Sequence, residues 1–572
     1  MRRQSGALLG WILMAAFAVN APVTAQQQDR AIKVRPAEER KKEPDPALAP
    51  PLDRTPVLPA PDGLHGRGLA SLEEISVTSI KLEGGTILSP AELTEIVRAY
   101  EGRKITIEEL FDLRREISEA YVRHGFVNSG VVIPDQEVVN GVVVLKEVRG
   151  KLVRIDVSGN GRLRAGYIRK RIEAAAEEPL RVENLQRSLE LLQQDPLIQQ
   201  VNAQLVPSLH AGEAELKVAV KRTKPFQVAI GSDNQGSAST GGERGTLSMS
   251  CMNVTGLGDV FSSDVGLSGG RWMGSAVYSI PVNSRGTAIQ ASFALDHARI
   301  IEEPFKEIDI KSRTMRGGLS VLQPWLRDPS RSLVSTVGIE KKHSESTLLG
   351  FPFSFSPGDH DGKSDTTVIN VGLEYTARTR NHVLAARGSL RRGLDLFNAT
   401  INDQGTDGRF TAFMGQFQYA QRVPTLTSEL LFRASAQIAA DPLLAVEKMP
   451  IGGLNTVRAY RENQFVRDNG VAASMEWRVP VYPKGAGEGS FKPLNLRVAP
   501  FVDYGRAWDV EDRLLTSHAS DIYSAGVGLL WNPIAGFRAD VYWGHPFKKT
   551  VGRGNDLQDK GWHFTAHYRI PL

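Results

Sequence analysis

The first strong pattern in the chain begins at residue 75. Ile75–Glu83 alternates apolar and polar positions, the period of a strand, and stops at Gly84-Gly85. Ser89 precedes a stretch with helical periodicity and has Glu92 three positions on, the spacing of a capping box. A second helix is predicted from Thr106 to His124, because Leu110, Leu113, Ile117 and Tyr121 recur at three- and four-residue intervals; Gly125 stops it. Val131–Ile133 and Val142–Glu147 read as two more strands. The order β-α-α-β-β then recurs. Leu152–Val157 is a strand, Ala165–Ala176 and Val182–Gln194 are helices, and Val201–Pro207 and Glu213–Lys221 are strands about the turn Ala211-Gly212. Two successive stretches of one order predict a tandem pair of small α/β modules, 75–149 and 150–223.

From residue 224 the period is 2 throughout. Short alternating runs such as Thr246–Met252, Ile289–Ala294, Val368–Tyr375 and Leu496–Phe501 are separated by clusters of Gly, Asn, Asp, Ser and Pro. At about 10 residues per spanning strand, 224–572 holds roughly 16–18 strands, and we take about 16. The last run is the most informative. Trp562, Phe564, Ala566, Tyr568, Ile570 and Leu572 fall on one face, and His563, Thr565, His567 and Arg569 on the other. An aromatic, apolar outer face with a polar inner face is what a lipid-facing barrel strand requires. Backbone groups in lipid must all be paired within the protein, so the sheet must close. The expected fold is a transmembrane β-barrel of antiparallel strands preceded by two α/β modules.

Composition narrows the function. The 572 residues are 41% hydrophobic, and mean hydropathy is -0.23. That excludes a bundle of membrane helices but not a barrel, whose alternation averages out. A net charge of +5 is small for this length, and no basic helix or aromatic-basic stripe points to nucleic acid. The single cysteine, Cys251, excludes an internal disulfide and a multi-cysteine metal site. Arg2 and Arg3, the apolar run Ala7–Val19 and Val23-Thr24-Ala25 read as an export signal, 1–25. Residues 26–74 are Pro-rich and charged and read as a linker; a short helix near Gln28–Arg40 could plug a pore.

Several stretches together resemble the outer-membrane transporters of two-partner secretion, the family of hemolysin-activator and filamentous-hemagglutinin transporters. Tyr121–Ser129, with Gly125, Phe126 and Ser129, resembles the close of the second helix in that family's first POTRA (polypeptide-transport-associated) domain, and Pro134-Asp135-Gln136 and Gly141 lead to its last strand. Gln193–Leu197 resembles the matching helix end of the second POTRA domain. Asp233-Asn234-Gln235-Gly236, Thr240-Gly241, and Asn253 before Gly256–Asp259 resemble the first barrel strands. Glu447, Ile451-Gly452-Gly453 and Val457-Arg458-Ala459-Tyr460 are similar to a loop that the family folds into the barrel lumen, though Ala459 stands where the family usually has Gly. Phe501-Val502-Asp503-Tyr504-Gly505 is similar to the wall motif F-x-D-x-G.

The resemblance implies that Arg458 pairs with Asp503, with Glu447, Gly452, Gly453, Phe501 and Gly505 in support. The residues alone leave a surface-loop arginine open, although a lumenal arginine needs a bidentate acidic partner. It further implies that Tyr121, Gly125, Phe126, Ser129, Pro134 and Gln136 mark a substrate-contact region. Trp562, Phe564, Tyr568 and Leu572 would form the barrel-insertion signal, although the family often ends in Phe.

Other motifs carry less. Gly266-Leu267-Ser268-Gly269-Gly270 matches a hydrolase pattern but has no helix after it. Asp359–Asp365 lacks the closing glutamate of a calcium loop and reads as a solvated extracellular loop. Lys341-Lys342-His343 reads as a solvated strand end. No phosphate-binding loop is present, so transport would run without ATP hydrolysis by this chain.

The expected function is a monomeric outer-membrane pore with POTRA domains in the periplasm. It would export a large unfolded exoprotein bearing an N-terminal secretion domain, an adhesin, cytolysin or contact-dependent toxin. The expected partners are that exoprotein, outer-membrane lipid and the barrel-assembly machinery during biogenesis, with no nucleic acid, no cofactor, no metal and no catalysis. Rival readings are a barrel-assembly factor and a passive porin.

Overall fold

The computed structural model describes residues 74–403, 405–424, 427–481, 495–510, 520–550 and 554–570. The export signal, the linker with its short helix (apart from Glu74) and Leu572 lie outside them. The chain divides into two compact units, 52–223 and the part from Lys224 onward.

The first unit holds both α/β modules. Its first module contains β1 (Glu74–Val77), β2 (Ser79–Glu83), α1 (Pro90–Arg98), β3 (Arg103–Thr106), α2 (Ile107–Arg123), β4 (Gly130–Val132) and β5 (Val142–Val148). β5 lies between β2, parallel to it, and β4, antiparallel. The second module repeats this with β6 (Lys151–Ser158), α3 (Ala165–Glu173), α4 (Val182–Gln193), β7 (Ile198–Pro207) and β8 (Glu213–Arg222), where β8 is central.

Two local expectations change. The single strand over Ile75–Glu83 is broken at Thr78, whose amide donates to the Gly141 carbonyl at 2.7 Å, and β1 turns away to pair with the short, charged β3. Ser89 caps α1, but the Glu92 carboxylate contacts His124 Nε2 at 3.0 Å; the complete capping box is Thr106–Glu109, at the start of α2.

The predicted helical stripe does form the core: Leu113, Ile117 and Tyr121 are fully buried with Val143 and Leu145 of β5. Each module closes a strand edge with a glutamine. Gln136 gives and takes hydrogen bonds of 2.7 Å with the backbone of Val144, past the end of β4. Gln193 does the same for β7, accepting from the Val201 amide at 2.8 Å and donating to the Gln199 carbonyl at 3.0 Å.

The second unit is a closed barrel of 16 antiparallel strands, from Phe226–Asp233 to Trp562–Ile570. Those two strands pair with each other and close the ring, Val228–Asp233 against Thr565–Ile570. Side chains alternate as predicted. On the strand Leu496–Trp508, Val502 and Tyr504 are exposed outward while Phe501, Asp503 and Gly505 face in and are buried. Exposed Leu319, Val337, Val371, Leu390 and Val541 continue an apolar outer surface. Such a surface requires lipid against it. The strands Lys311–Arg327, Arg331–Leu348 and Lys363–Arg378 have 17, 18 and 16 residues, longer than the ~9–11 that span a bilayer. Cys251 lies on the strand Arg244–Met252, and Gly266–Gly270 is a strand end and turn with no helix following.

Candidate functional site: a hairpin folded into the barrel

The chain leaves the sheet after the strand Ser428–Ala439 and re-enters it at Asn469–Pro480, which pairs with that strand. Between them the chain turns back into the lumen. Met449–Ile451 pairs antiparallel with Phe465–Arg467, making a hairpin whose tip is 452–464. Ile451, Val457 and Tyr460 pack against Ala472, Ala507 and Ile522 of the wall, a small apolar core inside the pore. Gly452 and Gly453 sit at φ 116° and 97°, and a Cβ on Gly453 would lie 2.1 Å from the Glu462 carboxyl carbon.

The tip carries the guanidinium expected from the sequence. Arg458 Nε and Nη2 donate to Asp503 at 2.8 and 2.7 Å, and the Arg458 amide donates to the same carboxylate at 2.9 Å. Nη2 also donates to Ser474 Oγ at 2.9 Å, and Nη1 to Glu476. The guanidinium lies 3.5 Å from the centroid of the Phe501 ring and 4.9 Å from that of Tyr542. Arg458 is 1% exposed, so this is a desolvated pair with its hydrogen bonds filled. Burial without such partners would cost several kcal/mol.

The wall motif now has a reason at each position. Phe501 stacks, Asp503 pairs, and Gly505 leaves room: a Cβ there would come within 2.6 Å of Val457 and 2.7 Å of Ile451. Gly505→Val is therefore expected to unseat the hairpin with every charge still in place. Overpacking of this kind costs about 1–3 kcal/mol. The measurement is ion conductance in planar bilayers, where Gly505→Val is expected to raise conductance; unchanged conductance would remove Gly505 from the seat.

Ala459 has φ 75°, with its amide donating to His563 Nε2 at 3.2 Å. That left-handed conformation costs a residue with a Cβ about 1–2 kcal/mol, which is why glycine suits the position. Ala459→Gly should close the tip more firmly and lower the frequency of pore openings several-fold, with export retained. More frequent openings in single-channel records would contradict it.

Tyr460 donates its hydroxyl to the carbonyls of Tyr523 and Lys548 at 3.2 and 3.0 Å. Glu447, at the base, is buried; Lys342 Nζ lies 2.9 Å and Arg391 Nη2 2.6 Å from its carboxylate, and Thr366 donates to it at 2.8 Å. This corrects the reading of Lys341-Lys342-His343 as a solvated strand end. Alternation turns Lys342 into the lumen, where it is 1% exposed, and leaves Lys341 outside. Asp359–Asp365 likewise includes the start of a strand: Asp365 faces Lys341 at 2.8 Å and His343 at 3.0 Å. No metal-holding group of His, Cys, Asp and Glu occurs among the described residues.

Sequence reasoning missed Ser474, Glu476, Tyr542, Lys342, Arg391 and Arg461. Glu476 was legible, because Ser474, Glu476 and Arg478 alternate with Ala473, Met475 and Trp477. Arg461 makes two further carboxylate pairs, to Asp559 at 2.5 and 2.7 Å and to Glu302 at 2.8 and 3.2 Å. Its partners lie far apart in the chain, Glu302 after the strand Ala288–Arg299 and Asp559 in the short 3-10 turn Leu557–Lys560, which no local pattern reveals.

The hairpin also reaches the seam where the barrel closes. The Glu462 amide donates to Gln558 Oε1, and Gln558 Nε2 donates to the carbonyls of Asn234 and Gly236, each at 2.8 Å. The Asn234 side chain in turn pairs with the Trp562 carbonyl and the Phe564 amide of the last strand. Trp562 is exposed on the outer wall, and Phe564 and Tyr568 follow it in register opposite Val541 and Phe537.

In the first module, the expected contact residues are mostly internal. Tyr121 donates to Glu147 at 3.0 Å, and burial, with this carboxylate beside it, raises the hydroxyl above its ordinary pKa and keeps it neutral. Ser129 accepts from the Gly150 amide at 2.8 Å, and Gly125, at φ 86°, ends α2. Gln136 closes the β5 edge, while Phe126 and Pro134 are half-buried.

A closed barrel with an ion-paired hairpin in its lumen, preceded by two α/β modules, defines the class of POTRA-plus-barrel outer-membrane proteins. Comparison places it more closely. The profile of the haemolysin secretion/activation protein ShlB/FhaC/HecB matches residues 212–530, over half the chain, and that of the ShlB-type POTRA domain matches 75–150. The chain belongs to this family, the outer-membrane transporters of two-partner secretion, with the barrel in the outer membrane and the POTRA fold in the periplasm.

Among relatives, it is similar to outer membrane transporter CdiB-2 of Burkholderia pseudomallei, 23% identical over 82% of this chain and 80% of that one. It is also similar to heme/hemopexin transporter protein HuxB of Haemophilus influenzae, 21% identical over 82% of each. The solved structure of CdiB from Escherichia coli shares the fold, with TM-score 0.64 at 18% identity, covering 96% of this chain and 97% of that one.

Proposed function

We propose that this chain exports one large, unfolded exoprotein, an adhesin, cytolysin or contact-dependent toxin, which enters from the periplasm by its N-terminal secretion domain. The carrying observation is the Arg458–Asp503 pair that ties the tip of a hairpin to the inner wall of the barrel. Such a hairpin seals the pore at rest and must move for a polypeptide to pass. The named relatives are transporters, which supports the same reading.

The cargo meets the first module near Phe126 and Pro134, where Tyr121, Gly125, Ser129 and Gln136 hold the backbone. It adds as a strand to an exposed sheet edge. The chain works as a monomer, without cofactor or catalysis, and the barrel-assembly machinery inserts it by reading Trp562, Phe564, Tyr568 and Leu572. Folding of the cargo outside the cell makes export directional.

The test compares surface and secreted proteins of the source bacterium with and without this chain. Loss of one large exoprotein, with its degradation in the periplasm, is the expected result. A joint fall of many barrel proteins would make the chain an assembly factor, and altered solute uptake alone would make it a porin.

A further inference from the structure

The outer wall holds a second feature, at the ends of the strands opposite Phe226. On four adjacent strands an outward basic residue stands there: Arg313, Lys341, Lys363 and Arg392. Register places Lys341 and Arg392 at the edge of the apolar surface, and Arg313 and Lys363 farther out, level with each other on either side of Glu345. Lys341 lies two positions from Ile339, and Arg392 pairs directly with Ile369 and lies two positions from exposed Leu390. Arg313, Lys363 and Arg392 are exposed, and the Lys341 side chain is 33% exposed. The carboxylates of Glu345 and Asp365 stand among them, Asp365 at 2.8 Å from Lys341.

A second observation concerns the loop after His382–Leu394. It folds down over the outside of the wall. Thr367, on the outward side of its strand, is 0% exposed because its hydroxyl donates to the Leu396 carbonyl at 2.7 Å, and Lys341 Nζ donates to the Phe397 carbonyl. The same loop leaves Leu396 47% and Phe397 68% exposed beside the basic cluster. A loop that covers a threonine while presenting Phe397 outward fits a hydrocarbon boundary and not open water.

We propose that this face, formed by Arg313, Lys341, Lys363 and Arg392 with Leu396 and Phe397, is a binding site for the phosphorylated headgroup of an outer-leaflet lipid. Guanidinium groups recognise phosphate by paired hydrogen bonds and ammonium groups by charge. The apolar side chains beneath would meet the acyl chains. The face lies on the outside of the wall, away from the lumen, so it is separate from the path of the cargo and does not depend on the hairpin.

The test uses the full chain in detergent micelles and native mass spectrometry with diphosphorylated lipid A, its dephosphorylated form, and inorganic phosphate as probes. The full chain should bind the diphosphorylated lipid at least about tenfold more tightly than the dephosphorylated one. The triple variant Arg313→Gln, Lys341→Gln, Arg392→Gln should lose that preference, since each basic residue near an anionic lipid surface contributes about fivefold. Arg506→Gln, outward on the strand Leu496–Trp508, should change nothing. Heat-modifiable mobility reports whether the triple variant folds; if it does not, Arg313→Gln alone, on the surface, should still show the fivefold step. Equal binding of both lipids, or an unchanged preference in the folded variants, would overturn the site. Displacement of the lipid by inorganic phosphate at equal concentration would assign the cluster to free phosphate and overturn the lipid reading.

Discussion

Arg458→Ala is expected to stop cargo export while the barrel still inserts, and to turn a closed pore into a conducting one. The substitution leaves Asp503 buried without its guanidinium and strips Phe501 and Tyr542 of the cation between them. Removing one partner of a buried pair costs about 3–5 kcal/mol. At about 1.4 kcal/mol per factor of ten, that shifts the seated-to-released ratio of the hairpin by roughly two to three orders of magnitude. Glu476 fares better than Asp503, since Arg478 remains at 2.6 Å and Arg433 at 3.7 Å.

The wall sheet is untouched, because Asp503 and Glu476 keep their places in the strand ladders. Arg458→Lys should fall between the two states: an ammonium supplies the charge but not the fork that spans Asp503, Ser474 and Glu476. Export assays, bilayer conductance and heat-modifiable mobility together separate a released hairpin from a failed barrel. Normal export and unchanged conductance in both Arg458→Ala and Asp503→Ala would remove the pair from the mechanism.

Much of this architecture was legible because it rests on period. The helical stripe Leu110–Tyr121 and the alternation on Trp562–Ile570 are local signals, and each appears in the structure where the pattern put it. The hairpin needed more than period. Arg458 and Asp503 are 45 residues apart, and only the likeness of both stretches to a family joined them. Geometry adds what likeness left out, namely why glycine stands at Gly505 and why Ala459 is strained.

The misreadings have a common cause. Lys341-Lys342-His343 reads as one charge run, yet the pleat sends adjacent residues to opposite faces, so such a run in a barrel is two populations. Applied to 341–343, that rule would have found the partner of Glu447. Arg461 escaped because Glu302 and Asp559 come from connections between strands whose convergence only the closed ring determines.

Glu447→Ala should be the most destabilising single change at the base of the hairpin. Glu447 accepts from Lys342 and Thr366 and is ion-paired with Arg391, the three drawn from three neighbouring strands, and its backbone carbonyl accepts from Gln437 at 3.0 Å. Without it, the carboxylate left within 4 Å of Lys342 and Arg391 among the described residues is that of Glu340, 3.4 and 3.9 Å away and already 3.6 Å from Arg316. Three cations then share one distant carboxylate and repel each other, and the expected cost is about 3–5 kcal/mol.

Glu447→Gln keeps the shape and the Thr366 hydrogen bond, so it should lose less in packing while still losing the charge. The informative comparison is a double-mutant cycle with Lys342→Met. If the base is an ion-paired unit, Lys342→Met should recover part of the loss caused by Glu447→Ala, since one uncompensated cation is gone. Lys341→Met, one residue away on the opposite face, should recover nothing. The temperature at which the folded barrel loses its fast electrophoretic mobility reads all of these. Equal recovery from Lys341→Met and Lys342→Met would show that the effect is overall charge and not the buried cluster. Because the tip retains Arg458, the Glu447 variants should conduct less than Arg458→Ala even where they are less stable. Stability would then depend chiefly on the base of the hairpin, and closure of the pore on its tip.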